Sequence, residues 1–249
     1  MKTILITGCS SGYGLATAKR FHAEGWRVVA TMRTPAPDLL PQSEHMCVMQ
    51  MDVTKADSIA AVLAACGPID VLVNNAGIGY FGAFEAAPMH IVREIFETNT
   101  FGVMAVTQAV VPQLRERGAG LVINVTSSAT LAPFPLVAAY TASKTAIQGF
   151  SASLAHELGE FGVGVKIVAP GYGPGTQFAS NGSARMAGSL PEAYVEFAQR
   201  AFASLSQPGQ VTTPDDVASI VWDAANDGQD RLLYPAGPDA VALAAKRVH

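Results

Sequence analysis

The run from Thr3 to Gly14, TILITGCSSGYG, leaves a chain little freedom. A five-residue apolar, β-branched strand pattern breaks directly into Gly8, Gly12 and Gly14, and a helical pattern follows. A strand that is apolar at almost every position must be covered on both faces, as in a parallel sheet flanked by helices. Further strand patterns follow at 27–31, 47–51, 70–74, 121–125, 165–169 and 231–234. Between them lie helical patterns at Gly14–Glu24, Lys55–Cys66, Met89–Arg117, Ala138–Phe161 and Pro214–Asp227. This alternation predicts an α/β fold: a Rossmann-type, doubly wound parallel sheet of about seven strands, with helices on both faces and right-handed crossovers. The chain is expected to form one domain over residues 1–249. The Gly-, Ser-, Met- and aromatic-rich stretch at about 176–210 is expected to be a helical substrate lid. The proline-rich loop at 34–42 shortens or replaces a helix.

Composition narrows the function classes. Apolar residues make up 49% of the chain and charged residues 14%, which suits a large core and not a disordered chain. The net charge is −4 and the basic residues are scattered, so no nucleic-acid partner is expected. Cys9, Cys47 and Cys66 lack metal-ligand or disulfide spacing, so no metal is expected and reduced cytoplasmic thiols fit best. There is no apolar run of membrane-spanning length, and Met1–Lys2 lead into the first strand without a signal-peptide layout. A soluble cytoplasmic protein without a membrane partner is expected.

A strand, a glycine turn and a helix start make an anion site, because glycines let the backbone approach and the free N–H groups face the ligand. The spacing here is G-x-x-x-G-x-G rather than G-x-G-x-x-G, and a tight turn that needs glycine for backbone reasons alone would look the same. In dinucleotide folds an acid at the end of the second strand holds the adenosine ribose, and an arginine accommodates a 2′-phosphate. The second strand here ends VVATMRTP, with Arg33 and no acid, and Ser10 and Ser11 stand in the turn. NADP(H) is therefore expected in preference to NAD(H). Special residues also follow the other strands: Asp52 and Val53, the NNAG at 74–77, Ser127, and Pro170–Gly171. All fall at carboxyl ends of predicted parallel strands, the edge where open α/β sheets bind ligands.

Tyr140 and Lys144 are four residues apart and share one helix face. An ammonium beside a phenol is expected to lower the tyrosine pKa from about 10, which suits an acid–base role. An isolated Y-x-x-x-K pair is equally an ordinary helix-face contact.

The combination is more specific. TGCSSGYG (7–14), NNAG (74–77), Asn99 in ETNTFG, Ser127 in VINVTSS, YTASK (140–144) and PGYGPGT (170–176) resemble the short-chain dehydrogenase/reductase family over essentially the whole chain. TGCSS, ATMR and the late YPAGPDA (234–240) further resemble its hydroxysteroid and retinol dehydrogenase branch. The resemblance implies Tyr140 as general acid–base, with Lys144 lowering its pKa and binding the nicotinamide ribose. Ser127 would hold the substrate oxygen, and Asn99 would position a water leading from Lys144 to solvent. Cofactor contacts would come from Gly8, Ser10, Ser11, Gly12, Tyr13, Gly14, Arg33, Asp52, Val53, Asn74, Ala76, Gly77, Tyr140, Lys144, Pro170, Gly171 and Thr176. Substrate would meet Ser127, Tyr140, Phe134 and Tyr172, with Phe178, Met186 and Phe197 from the lid, in an apolar pocket for a hydrophobic ketone or alcohol. A homodimer or homotetramer built on the two long helices is implied.

Three positions depart from the family pattern: Tyr13 replaces a common isoleucine, Thr130 a common glycine, and PGYGPGT carries extra Gly and Pro. The competing readings are an NAD-dependent alcohol dehydrogenase, a non-catalytic nicotinamide-nucleotide sensor, and a methyltransferase, which would leave the Tyr–Lys pair without a purpose.

Overall fold

The structure, a computed structural model, describes residues 1–174, 186, 188–205 and 211–246. Seven strands form one parallel sheet: β1 (Thr3–Thr7), β2 (Arg27–Met32), β3 (Met46–Gln50), β4 (Val71–Asn74), β5 (Gly120–Val125), β6 (Val163–Pro170) and β7 (Leu233–Ala236). Their order is β3-β2-β1-β4-β5-β6-β7, the Rossmann-type arrangement read from the alternating patterns. After β3 the chain returns to the middle of the sheet, so β1 and β4 are neighbours where the winding reverses. A crevice opens at the carboxyl ends of strands at such a reversal.

Among the described residues the α-helices are α1 (Gly12–Ala23), α2 (Ala56–Cys66), α3 (Met89–Phe96), α4 (Gly102–Arg117), α5 (Ala138–Gly159), α6 (Val195–Leu205), α7 (Pro214–Asn226) and α8 (Pro238–Lys246). Every residue of β1 is buried, and successive side chains serve opposite layers. Ile4 and Ile6 join Phe21 of α1 and Val217 and Val221 of α7. Leu5 joins Ile59 of α2, Val106 and Val110 of α4, and Leu154 of α5. Among the described residues no helix is long and apolar enough to cross a membrane.

Most boundaries shift by one or two residues, and three features depart further from the sequence reading. The helix expected over Met89–Arg117 is interrupted by a π-helical turn at Glu97–Phe101. The last strand lies at Leu233–Ala236 rather than 231–234; it carries Pro235, which an edge strand tolerates because one row of its backbone groups needs no partner. Helix α8 lies beyond the last helical pattern of the sequence.

Candidate active site

The site begins at the turn after β1. Gly8 has φ +76°, and a Cβ there would stand 2.8 Å from the Ala76 Cα, so the loops after β1 and β4 meet backbone to backbone. The loops are pinned together by Thr7, whose hydroxyl accepts the N–H groups of Asn75 and Ala76, both at 3.0 Å. The Asn75 amide donates to the carbonyls of Thr7 at 3.0 Å and Gly8 at 3.1 Å. Gly14 is packed so closely against the Gly8 carbonyl and the Asn75 amide that no side chain fits. Helix α1 starts at extended Ser11, with no side-chain cap and no acid in its first turn. Its opening N–H groups are thus suited to an anion.

Tyr140 and Lys144 rise from the first two turns of α5. Ser127 is extended past β5, and its hydroxyl accepts the Ala129 N–H at 3.2 Å and hydrogen-bonds the Tyr140 phenol. Lys144 is 4% exposed and donates from Nζ to the Val125 carbonyl at 2.9 Å. The bare backbone of Gly77 makes room for it, since a Cβ there would lie 3.3 Å from Lys144 Nζ and 3.2 Å from Asn99 Oδ1.

The electrostatics correct one expectation. Burial pushes the Tyr140 phenol up to about 12, and the Ser127 hydrogen bond only partly offsets this. Burial also pulls the Lys144 ammonium down to about 8. The phenol is therefore not acidified as the four-residue spacing predicts, because removing both groups from water outweighs their being one turn apart.

One cleft of about 620 Å³ is lined by Gly8, Ser10, Ser11, Gly12, Tyr13, Arg33, Asp52, Val53, Ala76, Gly77, Ser127, Phe134, Tyr140, Lys144, Pro170, Gly171 and Tyr172. Arg33, at the end of β2, is exposed and makes no hydrogen bond or close ion pair among the described residues. The Asp52 carboxylate accepts from the Thr54 backbone at 2.9 Å and hydroxyl at 2.8 Å. These bonds, with Arg33 and Lys55 nearby, hold it below the usual carboxylate range despite some burial. A cradle of uncapped N–H groups beside glycines fits the diphosphate of a dinucleotide.

Three predicted residues lie behind the wall of the cleft. The Asn74 side chain is 2% exposed and spends its amide N–H groups on Thr107 and Asn124, both at 2.9 Å, so it braces β4 against α4 and β5 instead of meeting a ligand. Asn75, the other half of the NN pair, reaches the cleft in its place. Asn99 sits in the π turn, accepting from the Ile78 N–H at 2.8 Å and donating to the Ile78 carbonyl at 2.9 Å and Ser143 at 3.1 Å. Its amide is fully used in shaping the loop after β4. Gly14 is hidden beneath Gly8. Thr176 and Phe178 fall outside the described residues, as does part of the expected lid. Phe197 is exposed on α6 and does not line the cleft, whereas Met186 and Phe202 do. The Phe202 ring lies 4.2 Å from that of Phe81, forming an aromatic edge that sequence reading missed because neither residue sits in a motif.

Comparison with known proteins agrees with this geometry. Residues 2–186 match the family described as short chain dehydrogenase. A Bacillus subtilis protein named uncharacterized oxidoreductase YusZ is 35% identical over 95% of this chain and 89% of its own length. Human retinol dehydrogenase 8 is 32% identical over 88% of this chain and 76% of its own. A solved short-chain dehydrogenase from Streptomyces avermitilis superimposes with a TM-score of 0.84 at 32% identity, over 99% of this chain and 92% of the other. Two more distant structures carry different cofactors. A serine dehydrogenase complexed with NADP+ has a TM-score of 0.80 at 26% identity, covering 95% and 94% of the two chains. A 3-ketoacyl-(acyl-carrier-protein) reductase from Brucella melitensis complexed with NADH has a TM-score of 0.77 at 25% identity, covering 94% and 96%.

Proposed function

The chain belongs to the short chain dehydrogenase family, and within it we propose an NADP(H)-dependent carbonyl reductase, working reversibly as an alcohol dehydrogenase. The observation that carries this reading is a single cleft holding Ser127, Tyr140 and Lys144 together with the glycine turn and Arg33. The nicotinamide, when bound, supplies or accepts the hydride at the carbonyl carbon.

The protein's own residues do the rest. The glycine turn and the start of α1 bind the diphosphate. Arg33 pairs with a 2′-phosphate, and Asp52 and Val53 border the adenine. Ser127 holds the carbonyl oxygen, and Tyr140, protonated at neutral pH, delivers its proton to that oxygen as the carbon is reduced. Lys144 stabilises the phenolate left behind and binds the ribose, and the phenol regains its proton from solvent. The Phe81–Phe202 edge, Phe134 and Tyr172 favour a hydrophobic ketone or secondary alcohol. The likeness to a retinol dehydrogenase supports a long apolar alcohol. Exposed Phe101, at the start of α4, supports self-association through α4 and α5 in a cytoplasmic homo-oligomer, which elution as a monomer on light-scattering chromatography would refute.

Tyr140→Phe tests the chemistry: turnover is expected to fall by about 10²- to 10⁴-fold, with cofactor titration little changed. Retention of most activity would remove Tyr140 from the mechanism. Arg33→Ala tests the cofactor. A charge-assisted hydrogen bond of about 1.5–3 kcal/mol is worth roughly 10- to 100-fold, so NADPH binding should weaken by that factor while NADH binding holds. Equal weakening of both would favour the second reading, an NAD-dependent alcohol dehydrogenase, which draws support from the Asp52 carboxylate in the cleft.

A further inference from the structure

The loop after β6 forms one wall of the cleft, and side chains from opposite ends of the chain hold it. Asp239, in the first turn of α8, accepts the Tyr172 N–H at 2.6 Å and the Thr212 hydroxyl at 2.6 Å. Its carboxylate fills the space that a side chain at Gly171 would need. On the other side, Tyr13 reaches across from the glycine turn. Its hydroxyl fills the space beside Gly173, where a Cβ would overlap the phenol oxygen, stand 3.1 Å from the ring carbon bearing it, and stand 3.2 Å from the Thr212 carbonyl. Gly173 is not among the glycines with a left-handed φ. Its lack of a side chain therefore answers to the phenol and not to the backbone. Tyr13 packs against the core cluster that holds Phe21, Val217 and Val221, and its backbone carbonyl accepts the Thr17 hydroxyl at 2.7 Å. The tyrosine that replaces a common isoleucine and a glycine of the unusual PGYGPGT loop are thus one fitted pair.

We propose that Tyr13 and Gly173 form a latch, a phenol seated in a glycine notch, that fixes the loop after β6, which the family resemblance places against the nicotinamide carboxamide, to the diphosphate-binding turn. Tyr13 is then a positioning residue, and the proposal rests on the cofactor reading above. A loop with Pro170, Gly171, Gly173 and Pro174 has no large side chain of its own to hold it except Tyr172. Among the described residues of this loop, Asp239 and Tyr13 fill the space beside Gly171 and Gly173, so this part of the wall is set before ligand arrives, and less ordering is left to be done on binding.

The test compares wild type, Gly173→Ala, Tyr13→Ile and the double variant. Two ligands are titrated by fluorescence or calorimetry: whichever of NADPH and NADH binds wild type more tightly, and the matching fragment without nicotinamide (2′-phospho-ADP-ribose or ADP-ribose). Gly173→Ala is expected to weaken the whole dinucleotide by about tenfold or more and the fragment by less than about twofold. The double variant is expected to bind the dinucleotide within about threefold of Tyr13→Ile, because the shorter side chain frees the notch. General loosening of the fold would weaken both ligands alike, so the split between them isolates positioning. If Gly173→Ala does not fold, folding of the double variant is the expected rescue. Additive losses, or equal losses for both ligands, would overturn the latch. A wild type that binds neither nucleotide would overturn the cofactor reading itself.

Discussion

Lys144 puts an ammonium where it is only 4% exposed, and its one hydrogen bond among the described residues goes to a neutral carbonyl. Its pKa, down at about 8 from an ordinary 10.5, makes it a stability sensor. Below pH 8 the folded state carries the full penalty of a buried charge. Between about 8 and 10.5 the unfolded chain binds more protons than the folded one, so the penalty is relieved as pH rises. Wild type is therefore expected to gain melting temperature relative to Lys144→Met between pH 7 and pH 9.5, which paired thermal melts would check; a constant difference would contradict the burial effect. Tyr140, up at about 12, stays protonated through the neutral range. Under the proposed mechanism reduction finds its proton donor ready, whereas alcohol oxidation needs the phenolate, so kcat/KM for oxidation should climb with pH up to about 8 while reduction stays flat, and above about 8 reduction should fall as Lys144 loses the charge that stabilises the phenolate. The Y-x-x-x-K spacing made the pair visible in the sequence. It could not reveal the burial around the pair, which reverses the expected shift of the tyrosine, because that burial comes from β5, the loop after β4 and the π turn.

At the scale of elements, the glycine turn was the most legible part of the site, since its geometry is local. What the turn leans on was not. Gly14 looked like a ligand contact but is a close approach between its own helix and the Gly8 carbonyl. Gly14→Ala is expected to destabilise by about 1–3 kcal/mol through overpacking and to weaken cofactor binding by moving Gly8 and Asn75. Denaturant melts and cofactor titration would check both effects, and an unchanged melt would mean that the turn relaxes freely. The NN pair at Asn74 and Asn75 shows the same limit. Strand alternation sends neighbouring side chains to opposite sides, so one asparagine braces the sheet interior and the other ties the glycine turn. Which is which depends on where β4 ends. The π turn at Asn99 was also hidden, because its own stretch, ETNTF, holds one apolar residue, too few to show the change of phase that an extra helical residue makes.

The molecule as a whole joins sequence-distant parts through its two helical layers. Phe21 of α1 is fully buried, with Trp26 at 5.1 Å and Trp222 of α7 at 5.0 Å in edge-on contacts. Phe21→Ala is expected to cost about 3–5 kcal/mol, lowering the denaturant midpoint while leaving cofactor affinity near wild type below the transition, since the cluster lies away from the cleft. A loss of affinity matching the loss of stability would show that this layer also shapes the site. The sequence by itself determined the alternation of strand and helix, the doubly wound class and the residues gathered at one sheet edge, because periodicity, glycine turns and helix-face spacing are properties of neighbouring residues. Only the tertiary structure decided which of those residues face the cleft, how far burial moves the Tyr140 and Lys144 titrations, and that Tyr13 meets Gly173. Those depend on the space between segments far apart in the chain, and no local pattern encodes that space.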